Sequence, residues 1–587
     1  MKHLVKATYL RLLLVLLLAW HLGGSIVAAA TAHHWSAQHT NNWPGQAGTG
    51  KLLHLQDGLQ AHRPARHLHQ ATPSANSLQQ ALQRMMAVPF ATPRPVLALG
   101  YQGLEPDTLR NWHHLARTLA TPGANVTIVT FGGSLTAEYI EYGEAWRSSL
   151  QGSWVEALLA WLKASFPGVS FNVVNASHGA SDVIVASTCW YQYAPQDADL
   201  VLVEYSLNGC LDFGGIPLCS STALLRVAHY ESFYRRLLRR APRAALMSVA
   251  AFAFAAETKV QGAASVTVPN AFRSTDQELH GMIARHYGAP MASIRDSLYG
   301  VIYNDAASQQ LLGATRAALM ADPWHPNAAG FRVWGDIVAY TVRQTLAAVM
   351  ANGAAEPAAL AAAAATAVEY GLPLPVSPVA AQQDTHTWCR EGSSFQAVAS
   401  CAGRLRGRCV WRTSDFNARC PHDNCRLRGY FMKGAGQALQ ISLDTSLDTS
   451  LLAAASNSTD GSNSASSTAA QFERRYLAVT YLQGSSMPAS KMGAATLACI
   501  RSCRCKTVQM EWRVDTNTGI AATEVSLHPS CLVSITVAAN TTTGGDEFAV
   551  TGVAVVPFSK AAQVSWIDAV DMAAVSAAGG QLPYSWP

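Results

Sequence analysis

The sequence predicts two structured regions. The first is α/β, a three-layer parallel sheet with helices on both faces; the second is a mostly β, sandwich-like, disulfide-rich region. Three observations predict this. From about 95 to 350, short apolar runs alternate with longer stretches at helical spacing, the order of strands and crossover helices in a parallel sheet. From 388 onward the apolar runs are short and separated by turn-forming clusters, and cysteines are dense. The 587 residues, at roughly 100–200 per domain, call for two or three domains with spare chain for linkers.

Composition narrows the class. Hydrophobic residues make up 49% of the chain and charged residues 13%, about half the usual charged fraction of ~25%. That excludes a chain disordered throughout and a coiled coil rich in Glu and Lys. Forty-two Lys and Arg against 37 Asp and Glu leave a net charge of +5 with no dense basic stripe. No nucleic-acid partner is expected.

The chain opens with Lys2, Lys6 and Arg11, an apolar run over 12–20, and small residues through Ala28, Ala29, Ala30, Thr31 and Ala32. This is the order of a secretory signal, read over 1–32 with cleavage after Ala30 or Ala32. The competing reading is an uncleaved signal anchor, since 12–32 could just span a bilayer; His21, Gly23, Gly24 and Ser25 weigh against it. The mature chain is expected to be extracellular and free of the membrane. Residues 33–94 are rich in His, Gln, Ala and Pro and read as a low-complexity, disordered stalk. Its histidines (His33, His34, His54, His62, His67, His69) read as a solvated tract, not a metal site.

Region 95–350 carries the α/β pattern. Strands are expected over 126–131, 171–175, 200–205 and 244–255, and helices over 154–166, 230–240 and 327–350. Residues 351–387, an alanine run closing with Pro373, Pro375 and Pro378, read as a linker. The Cys-rich β region spans 388–560, with strands over 477–482, 508–514, 531–537 and 548–556. A Ser/Thr/Asp/Asn-rich disordered insertion is expected over 442–468, and 561–587 is a C-terminal tail. Twelve cysteines in an exported chain read as disulfides, of unspecified connectivity. Three (Cys189, Cys210, Cys219) precede 388 and nine follow it. Both counts are odd, so a bridge between the regions or a free thiol is open. Sequons at Asn125, Asn175, Asn457 and Asn540 are consistent with glycosylation, although the first two flank buried strands.

Ligands of parallel sheets sit beyond the carboxyl ends of the strands, and three of the expected strands end in residues that ester chemistry needs. Gly132-Gly133-Ser134-Leu135-Thr136 follows the first and puts a hydroxyl at the start of a helical turn. Asn175-Ala176-Ser177-His178-Gly179 follows the second, with a glycine whose N–H a ligand can approach. Ser206-Leu207-Asn208-Gly209 follows the third, with a neutral amide donor at Asn208. Asp322-Pro323-Trp324-His325-Pro326-Asn327 places a carboxylate three residues before a histidine, ahead of the last helix. Each piece alone is weak; Gly-Gly-Ser or Asn-Gly by itself is an ordinary turn. Their order at successive strand ends gives them weight.

In these blocks, 95–350 resembles the SGNH (GDSL-type) esterases and lipases. The matching positions are Ser134, Gly179, Asn208 and His325, with Asp322 matching the acid of the family's Asp-x-x-His element. The run Val203-Glu204-Tyr205, and more loosely 477–482, 499–505 and 528–556, resemble secreted green-algal and plant members with a C-terminal Cys-rich β domain. The chain departs from the pattern at Gly133 and Gly209, where many members have Asp. The resemblance implies a flavodoxin-like sheet of the SGNH type and a carboxylic ester hydrolase. Ser134 would be the nucleophile, His325 the general base and acid, and Asp322 its orienting partner. Ser134, Gly179 and Asn208 would form the oxyanion hole. No metal or organic cofactor is implied.

Of the remaining candidates, Glu204 reads as a structural strand acid. Asp182 and Asp212 read as loop carboxylates, and Trp190, Tyr191 and Tyr193 as core, with sugar stacking as the competing reading. The expected partner is an ester substrate, with O-acyl groups on a cell-wall or extracellular glycan as one candidate. A non-catalytic extracellular glycan-binding protein carrying a degenerate hydrolase domain is the alternative, and acyl transfer would use the same residues as hydrolysis.

Overall fold

Eight strands serve the α/β region: β1 (Tyr101–Gln102), β2 (Asn125–Gly132), β3 (Ser170–Asn175), β4 (Leu200–Glu204), β5 (Ala245–Ala250), β6 (Ala256–Gln261), β7 (Ala264–Pro269) and β8 (Met291–Ser293). This computed structural model describes residues 73–109, 111–137, 152–179, 181–207, 223–261, 264–322, 324–355, 372–376, 388–402, 409–413, 428–446, 474–482, 493–510, 518–541 and 544–557. The signal segment, most of the stalk, Asn208, Asp212, Cys210, Cys219, Cys420, Cys425, Asn457 and the tail lie outside the described residues.

Six strands form one sheet in the order β1-β8-β5-β4-β2-β3. All its neighbours run parallel except β1, which pairs antiparallel with β8. The run β3-β2-β4-β5-β8 is the flavodoxin-like order, with its switch point between β2 and β4. Alternate side chains leave opposite faces of each strand, and both faces are covered. Val126, Ile128, Leu200, Leu202, Ala245 and Met247 face one core, beneath helices Trp154–Ser165 and Ala328–Ala355. Val129, Phe131, Val201, Val203 and Leu246 face the other, beneath helices Val183–Thr188 and Ala223–Arg240. Double coverage is why these strands read as continuous apolar runs.

The β region is a sandwich. One sheet runs Ala399–Ala402, Ala438–Leu443, Cys531–Val537, Ala495–Arg501, Val508–Met510. The other runs Cys409–Thr413, Arg428–Lys433, Glu547–Pro557, Arg474–Leu482, Thr518–Ser526, and Trp388–Glu391 also pairs with Glu547–Pro557. Leu439, Ile441, Val533 and Ile535 of the first meet Leu477, Val479, Val553 and Val555 of the second in a shared core. The opposite face of the second sheet is buried as well: Tyr476, Ala478, Ala554 and Val556 join the core that holds Val203 and Tyr230. The Cys189–Cys389 disulfide crosses the same junction, so the bridge between the regions is realised. Cys401–Cys409, Cys499–Cys505 and Cys503–Cys531 tie the sandwich internally, and no described cysteine is free.

Four expectations need correction. Within the supposed stalk, Ala75–Ala87 is a helix whose Leu78, Ala81 and Met85 are fully buried. Ser74 caps it, accepting from the Ser77 N–H at 3.2 Å; the i, i+3, i+7 spacing was hidden by a Gln- and Ala-rich composition. The fourth strand stops at Ala250. The apolar residues Ala251–Phe254 that follow are buried without pairing, and the chain then forms the hairpin β6–β7. Part of the supposed linker is docked: Arg235 donates to Pro373 O at 2.6 Å, and the Val376 N–H donates to Glu231 Oε1 at 2.5 Å. The strand Ala438–Leu443 also runs two residues into the expected insertion. Among the described residues no helix is long and apolar enough to cross a membrane.

Candidate active site

β2 ends at Gly132, and a short helix, Ser134–Ala137, begins two residues later. The Thr136 and Ala137 N–H groups donate to Gly133 O at 3.1 and 2.9 Å, closing a tight turn that lifts Ser134 from the sheet edge. The turn is held from several sides. Trp154 Nε1 donates to Leu135 O at 3.1 Å, and Asn175 Nδ2 donates to Thr136 O at 3.1 Å. Glu204 Oε2 accepts from Thr136 Oγ1 at 3.0 Å and from the Gly133 N–H at 3.3 Å. Gly132 is required here: a Cβ would lie 2.6 Å from Thr136 Oγ1 and 2.8 Å from Glu204 Oε2.

His325 approaches from the far side of the chain. Its Nε2 is 2.9 Å from Ser134 Oγ, across 191 residues of sequence. Its Nδ1 lies 2.9 and 2.8 Å from the two Asp322 carboxylate oxygens. Asp322 Oδ1 also accepts from the Trp324 and His325 N–H groups, each at 2.7 Å, so the carboxylate is fixed by its own loop. Burial raises the Asp322 pKa, but the hydrogen bond and charge of His325, with those two N–H groups, outweigh it and hold the carboxyl below its usual range. The loop is anchored in turn: Asn327 Oδ1 accepts from the Ala329 and Gly330 N–H groups at the start of helix Ala328–Ala355, and Asn327 Nδ2 donates to Ala318 O. Gly330 lies so close to Leu319 O that a Cβ would sit 2.2 Å from it.

The second block lies beside the nucleophile turn. The His178 N–H donates to Gly132 O at 3.0 Å, which brings Gly179, the next residue, to the carboxyl ends of β2 and β3. The His178 ring stacks on Trp190 at 4.2 Å, and burial lowers its pKa to about 4, so it is a neutral wall. Asn208 lies outside the described residues, but the strand end that leads to it is β4, directly beside β2. The structure therefore brings Ser134, His325, Asp322 and the Gly179 segment to one edge.

Other expectations divide. Trp190 is core, 2% exposed, but Tyr193 is 43% exposed, which overturns the core reading for that residue. Its hydroxyl donates to Glu391 Oε2 of the β region at 3.1 Å. Asp182 caps helix Val183–Thr188, accepting from the Val185 N–H, and burial raises its pKa. Asn175 spends its amide on internal bonds: besides Thr136 O, its Oδ1 accepts from Thr130 Oγ1 and the Ser177 N–H. Asn125 and Asn540 are exposed. Sequence reasoning missed the grip of Glu204 and Asn175 on the turn; an acid closing an otherwise apolar strand (Leu200–Glu204) was the available signal. The sulfurs of Cys499, Cys503 and Cys531 lie together, and disulfides account for all three.

A hydroxyl hydrogen-bonded to an imidazole, whose other nitrogen faces a carboxylate, can lose its proton as it attacks an electrophilic carbon. No protein-family model matches the chain, and no curated protein matches it. Among solved structures it is similar to a two-domain esterase active on acetylated mannans, at 15% identity over 79% of this chain and 99% of that one, with a TM-score of 0.49. It is also similar to an acetyl xylan esterase from Geobacillus stearothermophilus, at 18% identity over 38% of this chain and 94% of that one, with a TM-score of 0.25. A third likeness is to an extracellular lipase from Streptomyces rimosus, at 15% identity over 35% of this chain and 94% of that one, with a TM-score of 0.19.

Proposed function

We propose that the chain is an exported serine esterase that hydrolyses a carboxylic ester, with O-acyl groups on an extracellular glycan as the substrate class. Ser134 Oγ attacks the ester carbonyl while His325 Nε2 takes its proton. The protonated His325 then returns that proton to the leaving alcohol. Asp322 keeps the Nδ1 proton in place and stabilises the imidazolium. The N–H groups of Ser134 and Gly179, with the Asn208 amide, hold the oxyanion; losing one such donor costs about 2.7–4 kcal/mol of barrier. Water then hydrolyses the acyl-enzyme by the same steps in reverse roles.

One observation carries this reading: His325 bridges the hydroxyl and the carboxylate, at 2.9 and 2.8 Å, although 191 residues separate it from Ser134. The disulfides support export, since such bonds persist in oxidising compartments. The test is p-nitrophenyl acetate turnover by the full chain against Ser134→Ala, with fluorophosphonate labelling and peptide mapping. The expected result is loss of turnover and of the label at 134. Equal rates for the two proteins, with Ser134 unlabelled, would leave the non-catalytic glycan-binding reading in its place.

A further inference from the structure

Glu204 closes β4 with its side chain on the nucleophile turn. In the parallel pairing of β2 and β4 it lies opposite Gly132, two residues before Ser134. It is 2% exposed, and a Cβ at Gly132 would meet its carboxyl at 2.8 Å, so the carboxyl occupies space that this glycine leaves open. The donors it accepts from, the Gly133 N–H and the Thr136 hydroxyl, flank Ser134 on either side along the chain. Gly133 has no side chain with which to brace the turn itself. We propose that Glu204 is a positioning residue for Ser134: a buried carboxyl that fixes the turn presenting the hydroxyl, and on which a negative charge would add a repulsion beside the nucleophile.

The surroundings agree with an uncharged carboxyl. Burial pushes its pKa up to about 8, and the bonds from Thr136 and Gly133 only partly offset this. The titratable groups that feel it include Tyr205 next in the chain, raised first by burial and then by Glu204, and Tyr230 from helix Ala223–Arg240, raised first by burial, then by Asp276, and least by Glu204. Asp182, at the head of helix Val183–Thr188, acts on the same two tyrosines. Arg226 also faces Tyr230 but is paired with the buried Asp276, at 2.5 Å. Across Ser134 stand His325 and Asp322. An anion at Glu204, on the turn that carries Ser134, would oppose the negative charge that develops on the substrate oxygen.

The kinetic half of this proposal rests on the esterase reading; the bracing half does not. The test uses the full chain as wild type, Glu204→Gln, Glu204→Ala and Thr136→Val. It reads p-nitrophenyl acetate kinetics between about pH 6 and about pH 10, and amide hydrogen exchange of the 131–137 segment. Wild-type kcat is expected to fall along an alkaline limb centred at about 8. Glu204→Gln should lack that limb and stay within about threefold of wild type at neutral pH. Thr136→Val, which removes a bond that lowers the Glu204 pKa, should move the limb to higher pH. Glu204→Ala should lose about 10- to 100-fold in kcat with KM little changed, and exchange over 131–137 should quicken. A limb shared by wild type and Glu204→Gln, or Glu204→Ala with wild-type kcat and exchange, would overturn the proposal. If Glu204→Ala does not fold, the limb in the other two variants decides. If wild type turns over no faster than Ser134→Ala, the esterase reading fails, and the exchange data alone decide the bracing.

Discussion

Replacing Asp322 by Asn tests the proposed catalysis through a single proton. In the native loop, Asp322 Oδ1 accepts two backbone N–H groups at 2.7 Å each, while Oδ2 faces His325 Nδ1 at 2.8 Å. An asparagine in this place must keep its oxygen on the loop side, because only an oxygen can accept those two donors. Its NH₂ then points at Nδ1 and donates to it. Nδ1 becomes the acceptor, so the ring proton moves to Nε2, the nitrogen 2.9 Å from Ser134 Oγ. A protonated Nε2 cannot receive the serine proton. Fixing the wrong tautomer in a serine triad lowers kcat by about 10⁴, which at about 1.36 kcal/mol per tenfold is about 5 kcal/mol of barrier. The loop bonds survive, so thermal unfolding should be little changed. The assay is kcat on p-nitrophenyl acetate at neutral pH, with a melting curve as control. An Asp322→Asn variant that folds normally and stays within about tenfold of wild type would refute this account of the triad.

Further outcomes follow from the packing. Removing the junction disulfide by Cys189→Ser with Cys389→Ser should lower the midpoint of chemical unfolding, because the bond closes a span of 200 residues; the chain-entropy model sets an upper value of about 5 kcal/mol. An unchanged midpoint would show that the junction is held by burial alone. Leu78→Ala should cost about 2–5 kcal/mol, since a fully buried leucine leaves a cavity; a neutral result would detach helix Ala75–Ala87 from the core. Glu204 makes stability depend on pH. Its folded pKa of about 8 lies above the ordinary glutamate value of 4.5, so the folded state holds an extra proton between them. Its contribution is complete below the lower value and is lost as pH rises through the upper one. Denaturant midpoints of wild type should therefore decline across that window more than those of Glu204→Gln, and parallel curves would contradict the burial argument. Gly330→Ala should displace the His325 loop, given the 2.2 Å approach to Leu319 O, and lower kcat more than it raises KM; unchanged kinetics would remove Gly330 from the loop's support.

Most strands were readable because their signals are local. Leu200–Glu204 in the parallel sheet and Cys531–Val537 in the sandwich each carry their apolar pattern within a few residues, and short polar blocks follow the ends of the parallel strands. Helix Ala75–Ala87 escaped because its buried face is three residues wide and its exposed face is Gln-rich, so composition masked periodicity. Tyr193 departs from the expected core for a different reason: its neighbour Trp190 is buried, and only the course of the turn Trp190–Tyr193 separates the two.

By itself the sequence determined where strands and helices form, since backbone periodicity and turn chemistry act over a few residues, and it determined the order in which Ser134, Gly179, Asn208 and the Asp322–His325 pair occur. Only the tertiary structure decided that Ser134 meets His325, that the second β sheet is buried on both faces, and that the Glu204 carboxyl is buried against the nucleophile turn. Those outcomes depend on what distant segments bring to a site. Burial and protonation are set by three-dimensional neighbours, and no local pattern encodes them.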